Sequence, residues 1–192
     1  MSQTATTQTQ TSSRPNGGMP GLRGAEHIGF TVPDLEEAVA FFRDILGCEE
    51  FYDLGEFGAD EGDWMTENLN VHPRARINKM RMLRCGNGTN IELFEYTSPD
   101  QRSEQPRNTD IGGHHIAFYV DDIEAAAEYL KSHGIKVCGE PKLMENNPEG
   151  GERWCYFVSP WGMQFELVSY PDGKDYERDY ANRLWSPVHP AD

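Results

Sequence analysis

The sequence has little of several features that assign a chain to a particular class of protein. No apolar run approaches the roughly 20 residues of a membrane-spanning helix, and no basic segment followed by an apolar one marks a secretory signal. Only 17 lysines and arginines stand against 32 aspartates and glutamates, which gives a net charge of −15. Nucleic acids and anionic membranes repel such a chain, so we expect neither as a partner and predict a cytoplasmic protein.

Cysteine is also scarce. The chain has four cysteines and no CxxC pair, and the four stand far apart at Cys48, Cys85, Cys138 and Cys155. Cysteines without metal-ligand spacing usually behave as small buried apolar residues in a reducing compartment. The sequence therefore predicts four reduced thiols and no zinc or disulfide site built from them.

What the chain does contain is an internal repeat. The segment HIGFTVPDLEEA, which begins at His27, returns 88 positions later (115 − 27) as HIAFYVDDIEAA, which begins at His115. The segment NIELFEY at 90–96 returns 74 positions later (164 − 90) as QFELVSY at 164–170. Self-similarity of this kind predicts two copies of one structural unit.

Each copy has the pattern of a βαβββ module. Alternating apolar residues predict the strands, and Asp34 and Asp122 are placed to cap the helix that follows the first strand. We predict an α+β fold in which two such modules curl into one cup. The predicted segments are a flexible N-terminal arm (1–23), a first module (24–98) with an insertion (55–78), a second module (111–171) and a C-terminal extension (172–192).

Four polar residues occupy matching places in the two copies. His27, Glu92, His115 and Glu166 each point away from the apolar side of their strand, so a cup would bring them into one cavity. Imidazole and carboxylate ligands suit a divalent transition metal, whereas the simpler alternative is that each residue has only a structural partner. The same faces carry aromatic residues that we expect to line a substrate cavity: Phe94, Tyr96, Tyr119 and Tyr170.

The insertion carries residues that are unusual for a solvated loop. Trp64 and Met65 would suit a lid over an organic ligand, although Trp64 could equally pin the insertion to the body of the protein. Three arginines in or near the insertion could hold a substrate carboxylate: Arg74, Arg76 and Arg81.

The quoted segments, together with GHHIAFYVDDIEAAAEYLKSHGI and SPWGMQFELVSY, resemble the vicinal oxygen chelate superfamily. That superfamily includes glyoxalase I, methylmalonyl-CoA epimerase, extradiol dioxygenases and bleomycin or fosfomycin resistance proteins. The resemblance implies a divalent metal (Ni, Co, Mn, Zn or Fe) held by His27, Glu92, His115 and Glu166. It favours His115 over His114, because the ligand in the family pattern directly precedes the isoleucine that is Ile116 here.

The resemblance also implies an enzyme with a small-molecule substrate. The favoured function is a metal-dependent isomerase, lyase or epimerase that moves a proton next to a carbonyl group, with Glu166 as the first candidate base and Glu92 as the second. The alternatives are an iron-dependent dioxygenase that uses His27, His115 and Glu166, and a metal-free drug-binding protein. The arm, the linker at 97–111 and the aromatic extension offer surfaces for a subunit partner, and the family is commonly dimeric, so we expect a homodimer.

Overall fold

The computed structural model of the chain describes residues 19–190, so most of the predicted N-terminal arm lies outside the described residues. The first module follows the repeat closely. Its elements, in chain order, are β1 (His27–Thr31), α1 (Leu35–Ala40) with a π-helical continuation (Phe41–Ile45), β2 (Glu49–Leu54), β3 (Phe57–Gly58), α2 (Trp64–Leu69), β4 (Arg76–Arg84) and β5 (Asn90–Thr97).

The second module repeats this order without the insertion. Its elements are β6 (Ile116–Tyr119), α3 (Ile123–Ser132), β7 (Lys136–Leu143), β8 (Arg153–Val158) and β9 (Gln164–Ser169), and a 3₁₀ turn (Asp175–Arg178) follows in the C-terminal extension. Among the described residues, no helix has the length and apolar character needed to cross a membrane.

The two sheets have equivalent topologies. The strand order is β1-β5-β4-β2 in the first, with β3 added beside β4, and β6-β9-β8-β7 in the second. In each sheet the first strand pairs in parallel with the last one, and the remaining pairs are antiparallel. The predicted α+β fold of two βαβββ modules is therefore confirmed.

Local sequence explains why α1 and α3 begin where they do. The side chain of Asp34 accepts a hydrogen bond from the Glu37 N–H at 3.0 Å, and the side chain of Asp122 accepts one from the Ala125 N–H at 2.9 Å. Each carboxylate satisfies a backbone donor that the first helical turn would otherwise leave unpaired. The two predicted caps are therefore present at equivalent places in the repeat.

The modules share one apolar core on their helix-bearing faces. The ring of Phe41 lies 5.4 Å from that of Trp161 and 5.9 Å from that of Phe165, so the first helix packs directly on the second sheet. Phe42 joins the same group and is fully buried. Because the core forms on this side, the polar faces that carry the histidines and glutamates point away from it.

The sheets remain separate, which matters for the site. Within residues 19–190, β1 pairs only with β5 and β6 pairs only with β9, so each begins its module as an edge strand. An unpaired strand edge presents free N–H and C=O groups that can pair with another strand. The side chain of Ile28 on β1 is also exposed.

The prediction of free thiols at Cys48 and Cys85 is wrong, and the insertion of the first module contains regular structure. The insertion at 55–78 includes β3 and α2, and β4 begins at Arg76. Cys48 and Cys85 form a disulfide and are not free thiols. Glu49 pairs with Arg84 across β2 and β4, so the flanking cysteines become neighbours with Cα atoms 4.5 Å apart. Cys138 and Cys155 are free, as predicted.

Candidate functional site

The first module pairs its predicted histidine and glutamate. His27 Nε2 lies 3.3 Å from Glu92 Oε2, because β1 and β5 are neighbours in the sheet. The other ring nitrogen of His27 contacts the carboxylate of Glu26 at 2.5 Å, and Asn90 donates to that same carboxylate. The bond from Glu26 raises the pKa of His27, and the charge of Glu92 adds to the effect.

A glycine makes room beside this pair. Gly29 lies opposite Glu92 in the register, and a Cβ atom there would come within 3.2 Å of the carboxylate Oε2. Further along β5, the rings of Phe94 and Tyr96 lie 5.5 Å apart. Burial raises the pKa of the Tyr96 hydroxyl, and the negative charge of Glu92 raises it further. These two aromatic residues therefore share the neighbourhood that the sequence predicted for them.

The second module repeats the pair in more enclosed surroundings. His115 Nε2 lies 3.0 Å from Glu166 Oε2, and only 14% of the Glu166 side chain is exposed. The amide of Asn108 lies 3.3 Å from His115 Nδ1. The ring of Tyr156, the residue opposite Glu166 on β8, packs edge-on against the imidazole at a centroid distance of 5.2 Å.

Burial gives Glu166 an unusual protonation equilibrium. Loss of solvation raises the pKa of this carboxyl group, and the negative charges of Glu152 and Glu149 act in the same direction, while His115 opposes them. A carboxyl group with a raised pKa exchanges protons more readily near neutral pH than an ordinary one. The second module therefore holds the better candidate for a proton-transferring group.

The sequence pattern missed an ion pair near this site. Glu152 is 6% exposed and its carboxylate contacts the ammonium of Lys174, which comes from the C-terminal extension. The Lys174 ammonium also lies 4.5 Å from the centre of the Tyr170 ring, and Tyr170 packs on Tyr119 at 4.9 Å. Glu152 has no equivalent in the first copy of the repeat, which is why comparing the copies did not reveal it.

The two pairs do not meet within one chain. A cavity of about 740 Å³ is lined by Glu166, Glu152 and Lys174, and Ile28 of the first module also borders it, whereas His27 and Glu92 do not. Within residues 19–190, no group of three or more histidine, cysteine, aspartate or glutamate side chains lies close enough to hold a metal ion. The single cavity that we predicted for all four residues is therefore not formed inside the chain as described, because the shared core turns the two polar faces apart.

Each pair nevertheless has the right chemistry for part of a metal site. One imidazole nitrogen faces one carboxylate oxygen, at 3.3 Å in the first module and 3.0 Å in the second. Two ligands held at right angles about 2.1 Å from a metal lie about 3 Å from each other. Each module therefore supplies two donors of a mixed N/O site, and a complete four-residue set requires both modules.

The residues predicted from the insertion have internal roles. Trp64 packs at 4.9 Å against Phe57 of the same insertion and is 45% exposed, whereas Met65 is fully buried. Arg81 lies on the helix side of β4, where it pairs with Glu36, Glu50 and Asp53. The two other arginines are also engaged, Arg74 by Ala59 and Gly62 carbonyls and Arg76 by Asp60. The three arginines are therefore held by partners within the chain, and their role as substrate ligands stays a prediction.

His114 behaves as predicted. Its Nδ1 atom bonds to the carbonyl oxygen of Gly112 at 2.9 Å, which shapes the turn before β6. The neighbouring His115 is the residue that reaches Glu166.

The fold and the paired residues define an α+β protein of two βαβββ modules, each with one histidine–glutamate pair on the sheet face opposite its helix. The chain belongs to the Glyoxalase/Bleomycin resistance protein/Dioxygenase superfamily, whose profile matches residues 26–156. A glyoxalase family protein from Bacillus cereus has the same fold, with a TM-score of 0.60 and 20% identity over 79% of this chain and 98% of its own. The predicted family resemblance is therefore confirmed.

Relatives with named activities include an epimerase and a dioxygenase. A 2-epi-5-epi-valiolone epimerase from Actinomyces sp. is 47% identical over 88% of this chain and 92% of its own length. A manganese-dependent 2,3-dihydroxybiphenyl 1,2-dioxygenase from Geobacillus genomosp. 3 is 27% identical over 85% of this chain and 43% of its own length. Both are enzymes that act on small molecules, so the chain is similar to enzymes and one of them depends on a divalent metal.

Proposed function

We propose that this chain is an epimerase that inverts a stereocentre next to the carbonyl group of a small hydroxylated ketone. The observation that carries the proposal is the 47% identity to the epimerase from Actinomyces sp., which extends over nearly the whole of both chains. The carboxyl groups of Glu92 and Glu166 support it, since inversion needs proton transfer on both faces of one carbon.

The reaction would proceed by two proton transfers. One carboxylate removes the proton from the carbon beside the carbonyl, and the electron pair of the broken C–H bond moves toward the carbonyl oxygen. A protonated carboxyl group on the opposite face then returns a proton to the same carbon, which forms the inverted C–H bond. Glu166 is the first candidate for the initial base, because its side chain is 14% exposed, lines the larger cavity and lies 3.0 Å from His115 Nε2.

A divalent metal fits the donor types of the two pairs. We propose that His27, Glu92, His115 and Glu166 hold it together, and a bound cation of this kind supplies a positive charge that polarises a carbonyl oxygen. Neighbouring residues fix the orientation of the two imidazole rings. His27 is held by Glu26 and His115 lies against Asn108 and Tyr156, so each imidazole presents Nε2 toward its glutamate.

A homodimer would allow the two pairs to meet. A second copy could add strands at the unpaired edges of β1 and β6. His27 is the first residue of β1, and His115 directly precedes β6. We propose that the pair of the first module in one protomer completes the pair of the second module in its partner. Sedimentation should then give twice the 21.8 kDa of one chain, whereas a mass of one chain would contradict the proposal.

Deuterium exchange tests the proposed function directly. Purified protein should be incubated with 2-epi-5-epi-valiolone in D₂O, and NMR should then detect one deuterium beside the carbonyl together with the inverted isomer. Glu166→Gln should lose this exchange, while the exposed control Glu128→Gln should retain it. Lack of exchange by the intact protein in the presence of added divalent metals would refute the assignment.

The dioxygenase is the second candidate because one named relative has that activity. Oxygen uptake with 2,3-dihydroxybiphenyl under the same conditions distinguishes it from an epimerase. Oxygen consumption without deuterium incorporation would favour the dioxygenase.

A further inference from the structure

A second cavity lies at the far end of the polar face of the first module. It has a volume of about 670 Å³ and is bounded by the ends of β1 and β5, by the segment that follows α2 in the insertion and by residues 98–102 of the linker. Thr31 and Tyr96 form its boundary with the sheet. Neither Trp64 nor Met65 contributes to it. The insertion lines this cavity with the polar residues Thr66, Asn70 and His72 together with apolar neighbours.

The cavity continues the face that carries the first histidine–glutamate pair. Side chains two residues apart on a strand share a face. His27, Gly29 and Thr31 of β1 and Glu92, Phe94 and Tyr96 of β5 therefore lie on one side of the sheet. The charge of Glu92 contributes to the raised pKa of Tyr96, which indicates that the carboxylate and the phenol are close in space. A ligand held at Glu92 can therefore extend toward Tyr96 across the ring of Phe94.

Several polar groups of the cavity have no partner within the described chain. The side chains of Thr31, Asn70, Tyr96 and Arg102 line it and make no hydrogen bond or ion pair with any residue from 19 to 190. His72 accepts a hydrogen bond at Nδ1 from the Arg74 N–H, which leaves its other ring nitrogen to act as a donor. The cavity thus offers both donors and acceptors.

Other contacts keep the shape of the cavity. The amide of Gln101 donates to the Tyr96 carbonyl at 3.0 Å, and the hydroxyl of Thr66 donates to the Val71 carbonyl at 2.8 Å. The first bond ties the linker to β5, and the second closes the turn after α2. The walls therefore stand in place before a ligand arrives, which reduces the entropy lost on binding.

The charges of the cavity favour an uncharged ligand. Asp100 and Arg102 have opposite charges and both line it, while the remaining polar lining consists of hydroxyl, amide and imidazole groups. An anionic phosphate would gain from Arg102 but would face Asp100. Hydroxyl groups, which both donate and accept, match this lining better than a charged group does.

We propose that this cavity binds hydroxyl groups of the substrate that are remote from its reacting carbon, and so selects polyhydroxylated compounds. The inference depends on the proposed epimerase function for the identity of the ligand. It assigns a specificity role to Thr31 and Tyr96, and a supporting one to Asn70. The insertion would then act in substrate choice through its polar residues.

Binding can be located without any turnover. In amide NMR spectra of the intact protein, myo-inositol should shift signals from residues 31, 66–73, 96 and 98–102, and inorganic phosphate should not. Shifts that cluster elsewhere, or a stronger response to phosphate at the same residues, would overturn the proposal. Because this measurement does not depend on catalysis, it separates failure of the cavity proposal from failure of the epimerase proposal.

Three single variants test the same groups in the reaction. Thr31→Val and Tyr96→Phe each remove one hydroxyl, and Asn70→Gly suits the left-handed backbone of that residue, where φ is 55°. Each should raise KM for 2-epi-5-epi-valiolone about 3- to 10-fold with kcat nearly unchanged. The controls Thr109→Val and Tyr180→Phe lie outside the cavity and should leave KM unchanged. Wild-type KM values in all three cavity variants would refute the specificity role while leaving the epimerase proposal intact.

Discussion

The two modules place the same pair of residues in different surroundings. In the first, 44% of the His27 side chain is exposed, Glu26 binds its second nitrogen, and Gly29 leaves space beside Glu92. In the second, Ala117 takes the place of that glycine, and Glu166 is enclosed near other carboxylates. A repeated pair of donors can therefore serve two roles, since the neighbours decide how each pair holds protons.

The ends of the two sheets differ in the same way. Tyr96 and Tyr170 occupy matching positions of the repeat, yet Tyr96 borders a cavity in which the charges of Asp100 and Arg102 offset each other, while Tyr170 lies under the ammonium of Lys174. The insertion builds the first environment and the C-terminal extension builds the second. The segments outside the repeat thus create the differences between its two copies.

The largest effect is expected from exchanging the glutamates one at a time. Glu166→Gln should reduce deuterium exchange and epimerisation about 10²- to 10⁴-fold, since it removes the initial base. Glu92→Gln should suppress epimerisation but retain exchange from one isomer, which NMR of the substrate can resolve. Equal loss of exchange in both variants, at saturating metal, would mean that Glu166 and Glu92 do not have separate roles in proton transfer.

The disulfide should make the first module more resistant to unfolding than the second. Cys48 and Cys85 are 37 residues apart, and the chain-entropy model assigns about 3–4 kcal/mol to closing a loop of this length. The Cys48→Ser/Cys85→Ser double variant should lose about that much in urea unfolding, which circular dichroism can follow. Cys138→Ser, at an exposed free thiol, is the matched control and should change little. A double variant as stable as the wild type would show that the crosslink contributes nothing.

The neighbouring residues His114 and His115 provide a control for testing the four proposed metal ligands. His115→Ala and His27→Ala should each weaken binding of Ni²⁺, Co²⁺, Mn²⁺ or Zn²⁺ by at least about 10- to 100-fold, because even the partners of metal ligands contribute that much. His114→Ala should retain the metal, since its ring bonds to a carbonyl oxygen in the turn. Metal content after dialysis, measured by elemental analysis, gives the answer. Retention by both His115→Ala and His27→Ala would exclude a shared four-residue site.

The smallest effect concerns protonation in the metal-free protein. Burial raises the pKa of Glu166 above its ordinary 4.5, so folding favours the protonated form. Its contribution to stability is therefore fully present below pH 4.5 and is lost as the pH rises through the raised folded-state pKa. The ¹³C carboxyl signal of Glu166 should titrate above 4.5, and Glu152→Gln should lower that midpoint because it removes a nearby negative charge. Glu140→Gln should leave the midpoint in place, and a wild-type midpoint at or below 4.5 would contradict the expected effect of burial.

Much of the local structure was predictable from the repeat. The caps at Asp34 and Asp122 and the two βαβββ orders follow from short sequence spacing and strand alternation. The pairing of each histidine with the glutamate of its own module depends on which strands are neighbours in each sheet. The disulfide was not predictable, because it depends on the register between β2 and β4. The ion pairs of Arg81 were missed for a related reason. Arg81 lies opposite the buried Leu93 of β5, and only this register places Arg81 on the helix side of β4.

The amino-acid sequence by itself determined that two similar modules exist and which four residues could supply metal ligands, because hydrophobic alternation and helix caps act over a few residues. Only the tertiary structure decided how the modules pack, with Phe41 and Phe42 against Phe165, and hence that the two polar faces point apart within one chain. It also decided that the hydroxyl-lined cavity forms between the insertion, the linker and Tyr96. Packing between distant segments sets both features, since the energy of a shared core depends on how surfaces fit and not on local sequence spacing.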